Sequence, residues 1–124
     1  MELNDALAKL FNIQTSVQNP AFTDNPVAMS KAMARMAVYA GAIETKLAEY
    51  ERDYELDQAR LYRKLLIEDK LAATAAEKHV KIGLGETKGQ IIYLSRIVNS
   101  AWRQTGILQS RINHLVKQSE STNL

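Results

Sequence analysis

The strongest signal in the chain is a repeat of apolar positions. Met29, Met33, Met36, Ala40, Ile43, Leu47, Tyr50 and Tyr54 step by 4, 3, 4, 3, 4, 3 and 4. That spacing keeps one side chain per turn on a single face, as in a coiled-coil seam. The strict phase fails at Asp57, but Leu61 and Leu65 carry an apolar stripe onward. No proline follows Pro26, so the pattern predicts one helix over 26–69, about 65 Å long at 1.5 Å per residue. A second seam runs through Ile91, Leu94, Val98, Ala101, Thr105, Leu108, Ile112 and Leu115, in steps of 3, 4, 3, 4, 3, 4 and 3. It predicts a second long helix over 74–117, with a polar, frayed tail at 118–124.

Ahead of both seams, Leu3, Leu7, Leu10 and Phe11 recur at helical spacing and predict a short amphipathic helix over 2–17. Asn19-Pro20 and the polar run to Asn25 end it. Asp24 or Asn25 can cap the next helix, with Pro26 at its first position, where no N–H is needed. Two candidate turns separate the long helices. One is 69–74, where Thr74 followed by Glu77 can form a capping box. The other is Gly83-Leu84-Gly85, where each glycine weakens a helix by about 1 kcal/mol relative to alanine. Pairing the seams antiparallel sets Met29 against Leu115 and Tyr54 against Ile91, which centres the hairpin near residue 72 and fits the first turn better. The expected fold is all-α: one helical domain over 1–124, a short helix and then a long antiparallel hairpin. A lone hairpin leaves Met, Tyr and Ile side chains on its flanks, so a homo-oligomer is expected. The methionines at 29–36 suit either an adaptable interface or plain core.

Composition narrows the function classes. No apolar run approaches the ~20 residues of a membrane span, and the first residues lack a secretory pattern. There is no cysteine, which excludes disulfides and thiolate chemistry. A cytoplasmic, soluble protein is expected. His79 and His114 lie in no metal-binding pattern, and Gly83-Leu84-Gly85 lacks the ending of a phosphate loop. Asp53 and Asp57 share a helical face but read as solvated surface. Neither an enzyme nor a cofactor or metal site is expected.

Charge changes the picture more. The net charge is +2, but residues 1–69 carry 8 Lys+Arg against 11 Asp+Glu, and residues 70–124 carry 8 against 3. From Thr87 to Ser119 there is no acid, while Lys88, Arg96, Arg103, Arg111 and Lys117 fall in that stretch. Such a block faces either an anionic partner or the acidic stretch Glu44–Asp57 of a neighbouring helix. At 100° per residue, with Arg96 as origin, Arg103 falls at about −20° and Arg111 at about +60°, opposite the seam. The helix across the seam therefore cannot neutralise them all. Ile92 and Ile107 share this face, and Trp102 lies at the seam edge, as flanking core or as a stacking residue. A second cluster, Arg60, Arg63 and Lys64 with Tyr62 among them, fits either a solvated face or a single-stranded nucleic acid, with phosphates on the cations and a base on the ring.

These residues carry a family resemblance. Ala59-Arg60-Leu61, with Tyr62 next, resembles the ARL-x-Y segment of the UvsY family of phage recombination mediators. Thr74-Ala75-Ala76-Glu77-Lys78-His79-Val80-Lys81 resembles that family's Thr or Ser, Ala-Asp and Val-x-Lys stretch. The similarity spans residues 39–116. The family's lysine two positions before the arginine is Gln58 here, and only Arg60 carries over position by position. The resemblance implies an oligomeric ring that binds single-stranded DNA and helps load a RecA-like recombinase in place of a single-strand binding protein, in the host cytoplasm. Arg60, Tyr62, Arg63, Lys64, Arg96, Arg103 and Arg111 are the candidate nucleic-acid contacts. The other expectation is a coiled-coil adaptor or inhibitor that binds a protein and no DNA.

Overall fold

Asparagine before proline opens the longest element. The Ala28 backbone N–H donates to Asn25 Oδ1 at 3.1 Å, and Pro26 takes the first helical position, as the cap requires. The structure is a computed structural model. It describes all residues except Pro20, Ala21, Thr23, Asn123 and Leu124, and Thr122 by its backbone alone. Its helices are α1 (Leu3–Ser16), α2 (Pro26–Ile67), α3 (Ala73–Gly83) and α4 (Gly85–Thr122). No strand occurs among the described residues, and none of their helices is long and apolar enough to cross a membrane.

Every one of the 16 seam residues is buried or half-buried. The 3.5-residue period is thus the period of burial.

Three expectations need correction. The expected helix over 74–117 is interrupted at Leu84, between the two glycines. The Leu84 N–H still bonds the Val80 carbonyl, and Lys88 N–H bonds the Leu84 carbonyl, both at 3.0 Å. The glycine weakness therefore produces a one-residue interruption, not the chain reversal. The expected capping box also fails. The N-cap of α3 is Ala72, without a side-chain cap bond, which leaves Thr74 inside the first turn. Finally, Gln118–Thr122 is helical, since α4 meets no glycine or proline after Gly106 and extension of a formed helix is easy; Asn123 and Leu124 lie outside the described residues.

The chain forms two compact units, Met1–Glu44 with Arg96–Leu124, and Thr45–Ser95. In the first, α1, the start of α2 and most of α4 share one core. Leu10, Met29, Met36 and Ile43 are its largest fully buried side chains, joined by Ile97, Val98 and Leu108. Ala6, Ala32, Ala40 and Ala101 are also buried, and such small residues let helices approach closely. Met29 and Met36 are thus plain core. Phe11 is 41% exposed, and Ala6 takes its place on the buried stripe of α1. Lys9 Nζ lies 5.9 Å from the centre of the Tyr39 ring, which adds a cation–π contact between α1 and α2.

In the second unit, α3 runs back along the end of α2. A Cβ on Gly83 would lie 3.4 Å from Leu61 Cδ2. The reversal occupies Glu68–Ala72, in agreement with the turn at 69–74. Asp69 N–H bonds the Lys64 carbonyl at 3.3 Å and Leu71 N–H the Leu65 carbonyl at 3.0 Å. Lys70 has φ 51°, a left-handed conformation that favours glycine. Only Leu47, Ala76, Val80 and Leu94 are buried apolar residues of this unit.

Candidate nucleic-acid interface

Arg96, Arg103 and Arg111 all sit on the exposed side of α4 in the first unit. The reason is local: the seam commits Val98, Ala101 and Leu108 to the core, so residues half a turn away face water. Arg96 and Arg103 are seven residues apart, about 10 Å along the axis. Among the described residues neither makes an ion pair. Arg111 is engaged by a contact within the chain. His114, Lys117, Gln118 and Ser121 line a shallow groove farther along.

The second cluster is divided by the helix. Arg60, Arg63 and Lys64 line one groove with Ile67 and Glu68. Tyr62 is half-buried in another, with Glu55, Gln58, Ala59, Glu77, Val80 and Lys81. Tyr62 is two residues from Arg60, or about 200° around the helix. The expectation of arginine and tyrosine on one helical surface is therefore corrected: a base stacked on Tyr62 would not lie over these cations. Glu68 also brings a carboxylate to the arginine groove, and Asp53 and Asp57 are exposed on the same side of α2. This cluster is electrostatically mixed, whereas the α4 row is not.

Trp102 is a flanking residue of the core. It is 39% exposed, and its Nε1–H donates to Glu44 Oε1 at 2.5 Å. Residue-by-residue reading missed the groove between α2 and α3, about 450 Å³ in volume, because its wall comes from a helix 20 residues away. His79 and His114 are both exposed, and no group of three or more His, Asp or Glu among the described residues could hold a metal ion. No family model, curated protein or solved structure matches the chain.

Proposed function

We propose that this protein is a homo-oligomer that binds single-stranded DNA and acts as a recombination mediator, helping to load a RecA-like recombinase. The observation that carries the DNA-binding part is the exposed arginine row of α4, in a stretch with no acid from Thr87 to Ser119. Cations about 10 Å apart along a rigid helix suit a flexible strand, which adjusts its phosphates to them. No bidentate reader is arranged for a major groove, so little sequence preference is expected. Each subunit offers few contacts, and an oligomer multiplies them. The mediator role rests on the resemblance to the UvsY family.

Binding of a fluorescent oligonucleotide across a salt series tests this. Replacing Arg96 and Arg103 together by alanine should lower the log–log salt slope by about 1.4, at about 0.7 per phosphate contact. Helicity should not change, because both side chains lie off the seam. Wild-type protein that binds no oligonucleotide even at low salt would overturn the reading.

One observation favours a protein-binding adaptor instead. Ile107 is 60% exposed on the arginine side of α4, and an apolar side chain there suits a helix-in-groove partner. Such a complex would respond little to salt.

A further inference from the structure

The end of α2 carries a second row, separate from its seam. Glu49, Asp53, Leu56, Arg60, Arg63 and Ile67 step by 4, 3, 4, 3 and 4. They share a face about 120° around the helix from Tyr50, Tyr54 and Leu65. Leu56 and Ile67 are 47% and 61% exposed there.

The charges along this row are segregated. Glu49 and Asp53, with Asp57 beside them, occupy its N-terminal end. Arg60 and Arg63, with Lys64 beside them, occupy its C-terminal end. A nucleic acid laid on the row would meet the carboxylates of Glu49, Asp53, Asp57 and Glu68 as well as three cations. A parallel helix of the same sequence would set like charge on like. An antiparallel copy centred near residue 58 sets Asp53 beside the partner subunit's Arg63 and Asp57 beside the partner subunit's Arg60. Leu56 then rests on the stem of the partner subunit's Arg60, since arginine stems cover apolar surface. The two-fold repeats each contact. The local competitors are weak: Lys46–Glu49, half-buried at 3.4 Å, and Arg52–Asp53, exposed at 3.3 Å, are single pairs open to solvent, of the kind that contributes little. The thin core of this unit leaves Leu56 and Ile67 without cover from within.

We infer that this face of α2 is a self-association surface, on which a second copy of the chain docks antiparallel. The inference rests on the homo-oligomer part of the proposed function and assigns the Arg60–Lys64 cluster to the subunit contact rather than to DNA.

Charge reversal in the full-length protein tests it. Light scattering at micromolar concentration should show that Asp53→Lys with Asp57→Lys lowers the mass to about half that of the wild type. Arg60→Glu with Arg63→Glu should do the same. An equimolar mixture of the two variants should recover the wild-type mass, because the reversed faces complement each other. Asp53→Asn with Asp57→Asn, milder for the helix, should shift the mass in the same direction at lower concentration. Far-UV circular dichroism should stay unchanged throughout. If the wild type is oligomeric and all variants keep its mass, the surface is overturned while the homo-oligomer stands. Loss of mass without recovery on mixing overturns the antiparallel pairing. A monomeric wild type overturns both.

Discussion

The two compact units both draw on α2 and α4, with α1 only in the first and α3 only in the second, and they hold very different interiors. Residues 1–44 and 96–124 contribute 11 of the 15 buried apolar side chains among the described residues, including all four of the largest fully buried ones. Residues 45–95 contribute four, two of them no larger than valine. Charge runs the other way. The second unit carries 9 Lys+Arg and 9 Asp+Glu in 51 residues, and the rest of the chain carries 7 and 5. Stability is roughly proportional to apolar area removed from water, so the first unit holds most of the folding free energy. The second is a charged, lightly packed segment. The contrast also sorts the two basic clusters. The α4 row stands on the well-packed unit, which fixes its arginine spacing. The α2 row stands on the lightly packed one, mixed in sign.

Hydrogen exchange measures the largest consequence. Amides around Met36, Ile43 and Ala101 should exchange only on global unfolding, which for a small domain costs about 5–15 kcal/mol. Amides of α3 should exchange through local opening at far lower cost. Equal protection in the two units would break the comparison.

Core truncation sharpens it. Ile43→Ala should cost about 2–5 kcal/mol in denaturant unfolding, the usual range for a fully buried isoleucine. Val80→Ala, which loses less area in a thinner core, should cost about 1–2 kcal/mol. The reverse order would show that the second unit is the better packed.

The smallest effect lies at the reversal. Lys70→Gly removes a left-handed penalty of about 1–2 kcal/mol but adds unfolded-state entropy of roughly 0.5–1 kcal/mol. A gain of under about 1 kcal/mol is expected, read as a rise in thermal midpoint. A loss would mean that the Lys70 side chain stabilises the turn more than its backbone strains it.

Much of this was legible in the residues. The seam positions, a cap at Asp24 or Asn25 and a reversal at 69–74 in preference to Gly83-Leu84-Gly85 follow from side-chain periodicity, local hydrogen bonding and the arithmetic of antiparallel pairing. The separation of Tyr62 from Arg60 corrects the sequence reading, which set both on one surface, since positions two apart on a helix differ by about 200°. The exposed side of Arg96 and Arg103 followed from the seam opposite them. The start of α3 was not legible. Thr74 offers a cap that would start the helix at Ala75, yet the helix begins two residues earlier, at Ala73, after the uncapped Ala72.

By itself, then, the sequence determined helix content, the buried stripe and the charge rows, because each depends on residues within a few turns of one another. Tertiary structure decided that the chain reverses before α3 rather than at Gly83-Leu84-Gly85, and it alone decided which groove holds Tyr62 and how buried area divides between the units. Those outcomes depend on contacts between residues distant in sequence, such as Leu61 with Gly83 and Glu44 with Trp102, and no local spacing encodes them.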